Sequence, residues 1–310
     1  MKVPAADSDS TSSLRNALAI EVNSIREAHG LITPPIDPFK VSRIGRAKID
    51  FIFLPPHVVG APGSIEPTDD GFKIKLDQNL RRALPTREFR LRSRAAHELM
   101  HALFYNTSIL PPIRPWKGPS TRRSYLIEEE LCNYLAREFL VPSSVLRSEI
   151  DHRPYLRMPS IAHMNILKEK FQVSSDILAY KLIRDANVWK GMFAKYLKTG
   201  TIFKVSTRVK SKSGPVMQKL KIQPFIDRQP GYLQDLLREG VAISSTGHHW
   251  ETKTTFFGRE VKFEAERDSI DPLTIIFLVY DNSATQEMDK TAVERFSDAF
   301  SSRDTQPTHG

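Results

Sequence analysis

From Phe89 to Tyr105 no residue breaks a helix, and this helix carries His97-Glu98-Leu99-Met100-His101 among Ala95, Ala96, Ala102 and Leu103. Small and apolar neighbours bury a helix, and a buried helix bearing two imidazoles and a carboxylate needs partners for them. Histidines four residues apart project from one helical face, one turn apart. Their ring nitrogens can reach a single metal ion at about 2.0–2.1 Å. Glu98 is rotated by one residue, close to such an ion without being forced onto it, where it can take a proton from an activated water. The competing reading is a pair of satisfied core histidines, which the helical and apolar context disfavours.

A catalytic zinc site takes three protein ligands and keeps a fourth position open. The helix read from Tyr125 to Leu140, closed by Pro142, offers Glu128, Glu129 and Glu130. Glu129 shares a stripe with Cys132, Asn133, Ala136 and Leu140, Glu130 with Tyr134, Arg137 and Glu138, and Glu128 with Leu131, Leu135 and Phe139. Small neighbours let two helices approach closely, so Glu129 is the expected ligand, Glu130 a solvated residue and Glu128 a core contact. Asn133, one turn after Glu129, is the group expected to orient a ligand. Tyr105, Tyr125, His152 and His163 stand as alternatives for a second electrophile. Cys132, mid-helix with no base beside it, reads as a small core residue rather than a nucleophile.

The pair RSRAAHELMHALF and EEELCNYLAREFLVP resembles the ImmA/IrrE-type metallopeptidases, in which an HExxH helix precedes one reading roughly E-x-x-A-N-x-F-A-x-x-L-L-x-P. Glu129, Asn133, Ala136, Leu140 and Pro142 match. Cys132 stands where alanine is usual, Leu135 where phenylalanine is usual, and Met100 replaces a common glycine. The resemblance covers roughly residues 12 to 190. It implies Zn2+ (or another divalent metal) on His97, His101 and Glu129, and Glu98 as catalytic base. The expected fold class is α+β: a zincin-like metallopeptidase core and a following helical segment, as the resemblance implies, then a strand-rich C-terminal α/β domain, read from the strand-like segments after about Lys198. The implied activity is a regulatory endopeptidase whose protein substrate is a helix-turn-helix repressor. Two other readings compete. One is a DNA-binding regulator using residues 160–187, against which the SSDIL start of the second helix carries little positive charge. The other is an inactive metal-binding partner protein, against which Glu98 is intact.

At 310 residues the chain is long for one domain and suits two. The expected division is a flexible tail over 1–12, the metallopeptidase core over 13–150, a helix-turn-helix-like segment over 151–195, a strand-rich domain with a possible sensory role over 198–302, and a tail over 303–310. Helices are expected over 13–29 and from Phe39 to Ile44, and strands over 48–54 and 71–77, with 57–70 as loop. Later, KVSTRV, VMQKLKIQ, VAISST, ETKTTFF, EVKFEA and LTIIFLVY read as strands, and a last helix as Ala284 to Phe300. The net charge of +9 reads as a basic excess spread along the chain, with six arginines from Arg81 to Arg94. Spread in this way, it gives no reason to expect direct nucleic-acid binding. One cysteine excludes an intrachain disulfide, the first residues lack an apolar signal segment, and the run Ile275 to Tyr280 is too short to span a bilayer. The expected compartment is the cytoplasm.

Overall fold

The computed structural model describes residues 8–59, 63–80, 85–115, 122–199, 202–211, 223, 226, 229, 231–256, 259–268 and 273–281. Among the described residues, eight α-helices and nine strands in two sheets make the fold mixed α+β. The chain divides into two compact units, Met1–Arg147 with Ile166–Lys181, and Ser148–Asn165 with Leu182–Gly310. The 151–195 helical segment is thus shared between the two.

The first unit begins with helix α1, Ser8–Ala28, so the chain is already helical from Ser8 in the stretch expected to be a tail. Val22 and Ile25 of its apolar stripe are buried while Leu14 is exposed. Gly30, at φ +66°, takes the left-handed conformation that ends the helix. The expected helix from Phe39 to Ile44 is a single 3-10 turn, Pro38–Lys40, followed by strand β1, Arg43–Ile44. Asp37 accepts from the Phe39 N–H and Val41 N–H closes on Pro38, which completes that turn and lets the chain extend.

Strands β2 (Ala47–Leu54), β3 (Gly63–Thr68) and β4 (Gly71–Asp77) join β1 in the order β1-β2-β4-β3. β2 and β4 run parallel with Ile49 opposite Phe72 and Phe51 opposite Ile74, and β3 pairs antiparallel to β4 at the edge. The stretch expected as loop therefore holds a short helix α2, Pro56–Val59, and a strand. GSIEPT escapes a strand reading because it contains Pro67, which a sheet edge tolerates. Phe72, Ile74 and Leu76 give the sheet one buried face. Helix α3, Pro85–His101, packs on β3 and β4 and then on α4, Arg122–Leu140. Ala95, Ala96, Leu99 and Met100 from α3 and Leu131, Cys132, Leu135 and Phe139 from α4 are buried.

Beyond Pro142 the chain forms α5 (Ser143–His152), α6 (Ile161–Phe171), α7 (Ser175–Ala179) and a π-helical turn, Tyr180–Asp185. The two helices expected between 160 and 187 are present, joined through Gln172 at φ 50°. In the first unit Glu138 accepts from Ser143 N (2.8 Å) and Oγ (2.7 Å) and pairs with the buried Lys181.

The second unit holds an antiparallel sheet of β5 (Gly191–Thr199), β6 (Ile202–Lys210), β7 (Trp250–Phe256), β8 (Arg259–Arg267) and β9 (Thr274–Asp281), ordered β6-β5-β9-β8-β7. Helix α8, Gly231–Ser245, lays Leu233, Leu237 and Gly240 on Ala194, Tyr196, Phe263 and Phe277. A Cβ at Gly240 would stand 2.8 Å from Phe277 Cε1 and 2.9 Å from Trp250 Cε3, so the helix can seat there only on glycine. VAISST is the end of this helix, not a strand. Its β-branched residues look strand-like in isolation, but the helical stripe begins upstream at Leu233. VMQKLKIQ, apart from Gln223, and the helix expected from Ala284 to Phe300 lie outside the described residues. Glu264 of β8 caps α6 by accepting from Ile161 N at 2.7 Å and Ser160 Oγ at 3.2 Å. No helix among the described residues is long and apolar enough to cross a membrane.

Candidate metal centre

His97, Glu98 and His101 come from the last turns of α3, and Glu128 and Glu129 from the middle of α4. The helices meet through small side chains. Cys132 is buried, and burial pushes its thiol far above the ordinary range, as expected of an inert core residue. His97 Nε2 lies 3.3 Å from His101 Nε2. The Glu129 carboxylate faces both, with one oxygen 3.2 Å from His97 Nε2 and the other 3.4 Å from His101 Nε2. The three ligand atoms fall within 4.8 Å of one another, so His97, His101 and Glu129 form a group that could hold a metal ion. The imidazoles are buried while the Glu129 side chain keeps 26% of its exposure, so the centre is reached from the Glu129 side.

The protonation states suit a cation. Burial, then the proximity of His101, lowers the His97 pKa to about 4, which leaves its ring neutral. His101 Nδ1 donates to Glu128 Oε1 at 2.9 Å, so its proton sits there and its Nε2 lone pair turns toward His97 and Glu129. Two imidazole nitrogens and a carboxylate oxygen thus converge on one point as possible electron-pair donors. That donor set is the one zinc takes in catalytic sites, and the residues present fit it.

No family model matches the chain, and no curated protein matches it in sequence comparison.

Glu128, read from the sequence as a core contact, is buried and also bonds the His101 ring. Arg114 grips it with both nitrogens, Nη1 to Oε2 at 3.0 Å and Nη2 to Oε1 at 2.9 Å. Burial works to raise the Glu128 pKa, but the hydrogen bonds from Arg114 and His101 outweigh it and hold the carboxyl below its ordinary value. Arg114 is itself set by stacking 4.7 Å from the Tyr105 ring centroid, in a loop closed by Asn106 N–H donating to Ile113 at 2.8 Å. An acidic residue on an apolar stripe was the available signal, since such a group needs a buried partner. Nothing in the sequence points to Arg114. Asn133 is exposed beside the His97 ring, where it weakly favours the charged form. It does not satisfy His97 Nδ1, which is buried without a hydrogen-bond partner.

Glu98 is buried beside the ligands, and burial raises its pKa against the opposing pull of His101 and Arg94. Arg94 Nη1 lies 3.2 Å from Glu98 Oε1, one turn back on α3. Of the arginines from 81 to 94, Arg92 is buried and donates to Ile36 O and to Gln172 O (2.8 Å), which makes it part of the fold. Gly63, the first residue of edge strand β3, lies against this base: a Cβ there would sit 2.9 Å from Glu98 Cγ. Among the four alternatives for a second electrophile, Tyr125 is the one that hydrogen-bonds Glu129. Its pKa is raised by the Glu129 charge and by its own bond to that carboxylate. Tyr105 is engaged with Arg114 and Phe72. His152 and His163 belong to the second unit, bonded to Ser148 O (2.6 Å) and Met158 O (2.9 Å). Glu130 is exposed, with Arg15 at 2.9 Å.

Proposed function

We propose that the chain is a zinc-dependent endopeptidase of the ImmA/IrrE type, with a zincin-like core, acting on a protein substrate such as a helix-turn-helix transcriptional repressor. The observation that carries this reading is the convergence of His97, His101 and Glu129 beside a buried Glu98. A zinc ion, or another divalent metal, held by those three residues would supply Lewis-acid polarisation of the scissile carbonyl and lower the pKa of the attacking water. Glu98, its carboxyl raised toward the working range, accepts the proton of that water and returns it to the leaving amine. Arg94 steadies one oxygen of the carboxylate. Tyr125, at the more open Glu129 side, is placed to donate to an oxyanion. A protein substrate is favoured because edge strand β3 begins against Glu98, so an extended peptide adding to that edge would pass the base.

The test pairs metal analysis with cleavage of helix-turn-helix repressor proteins. The parent and Glu98→Gln each retain one equivalent of zinc, and the variant loses at least about 100-fold in cleavage rate. His101→Ala loses the metal. A Glu98→Gln protein that cuts as fast as the parent refutes the mechanism.

A further inference from the structure

The positive charge is not spread along the chain. Residues 186 to 226 contain nine Lys and Arg and no Asp or Glu, so this stretch accounts for the whole excess of +9, and cations balance the 36 acidic residues elsewhere. Its described part is the β5–β6 hairpin, which forms one edge of the second unit's sheet. Two nine-residue strands make a ribbon roughly 30 Å long.

Among the residues of these strands whose burial is described, the exposed ones are Lys198, Thr199, Lys204, Ser206 and Arg208, three cations and two hydroxyls. Lys195 is different: it is buried and lies 2.8 Å from Asp268, so it belongs to the fold. A register shift between Lys195 and Tyr196 changes which face the β6 cations take. On one side of the shift Arg208 lies opposite Ala194, and on the other Lys204 lies opposite Leu197. Ala194 faces α8 and Leu197 points to the other side, since successive residues of β5 alternate. Cations therefore flank the edge strand on both faces.

We propose that this hairpin is a nucleic-acid-binding edge that holds the phosphate backbone without reading sequence. Cations and hydroxyls are the side chains that contact phosphate. Edge strand β6, paired only to β5, can lie along a phosphate backbone with charge on both of its faces. A flat anionic lipid surface would be served by cations on one face, and insertion into it would need exposed apolar residues. Recruitment to DNA would also concentrate the chain beside a DNA-bound repressor, but the proposal stands without the metal centre.

The test is fluorescence anisotropy of the full chain on a mixed-sequence duplex of about 20 base pairs at salt from about 50 to 200 mM. Each phosphate neutralised adds about 0.9 to the slope of log affinity against log salt. The triple variant K198Q/K204Q/R208Q should lower that slope by about 2.7, which corresponds to losing about 40-fold of the salt sensitivity over this range. A control, K40Q/K73Q/R147Q, removes three exposed cations of the first unit and should leave the slope within one phosphate of the parent. Far-ultraviolet circular dichroism checks that both variants fold. The proposal is overturned if the parent does not bind the duplex, if it binds only vesicles containing phosphatidylserine, or if the control weakens binding as much as the hairpin variant.

Discussion

If His97, His101 and Glu129 hold a metal as proposed, Glu128→Gln isolates the contribution of the carboxylate that bonds His101. In the parent, Glu128 accepts from His101 Nδ1 at 2.9 Å and from both Arg114 nitrogens at 3.0 and 2.9 Å. The amide is uncharged and has one acceptor oxygen for those three donors, so both His101 and Arg114 lose a charged partner and at least one donor loses its acceptor. If His101 loses its acceptor, the proton can move to Nε2 and the lone pair turns away from Glu129. Replacing such partners typically weakens metal binding by about 10- to 100-fold, or roughly 1.4 to 2.7 kcal/mol. Arg114→Ala should give a smaller loss, because Glu128 still holds Nδ1. The assay is competition for Zn2+ against a chromophoric chelator at fixed pH, alongside thermal unfolding of the metal-free proteins. Equal zinc affinity for Glu128→Gln and the parent would refute the orienting role. A loss of melting temperature with unchanged affinity would make Glu128 a purely structural ion-pair partner.

Two further outcomes follow from the same geometry. His97 has a metal-free folded pKa of about 4 against an ordinary 6.5, so the unfolded chain binds its proton first as pH falls. The metal-free protein should therefore lose roughly 3 kcal/mol of stability through this group between about pH 6.5 and 4. Urea unfolding of parent and His97→Gln across that interval checks this, and identical pH slopes would contradict it. Gly63→Val drives a side chain into the space held by Glu98 Cγ and the Arg94 stem at 2.9 Å. Cleavage should fall by at least tenfold while zinc content is kept, at a stability cost of about 1–3 kcal/mol; a Gly63→Val protein with parental activity would show that the base tolerates displacement.

The grouping of His97, His101 and Glu129 is legible in the sequence because it depends on helical period and on the size of the stripe neighbours. His97 and His101 share a face by spacing, and Glu129 is separated from Glu128 and Glu130 by the size of its stripe neighbours. Strands β2 and β4 are legible from their apolar content and, in β4, from its alternation. What escapes depends on partners remote in sequence. Arg114 lies in a proline-rich loop, and its role exists only because Tyr105 and the Asn106–Ile113 closure aim it at α4. β3 is hidden because an edge strand needs neither alternation nor a proline-free run. Helix α8 is misread at VAISST, where β-branched residues imitate a strand, although Gly240 and the Leu233–Leu237 stripe already seat the helix against Phe277 and Trp250. The charge segregation was countable from the sequence, but its meaning required the knowledge that residues 191–210 form a sheet edge.

The acidic run of α4 shows why adjacent carboxylates need not be redundant. Successive residues on a helix point about 100° apart. An imidazole offers its two nitrogens on different sides of the ring, so a helix lying alongside can serve both only with carboxylates in different directions. Glu129 meets the Nε2 side of His101 and Glu128 the Nδ1 side. One turn of helix thereby supplies both a candidate ligand and the carboxylate on the other nitrogen of a second candidate ligand. The third carboxylate, Glu130, points a further step around and is exposed. Positions 128 and 129 therefore both answer to the geometry of a single histidine ring, whereas position 130 does not.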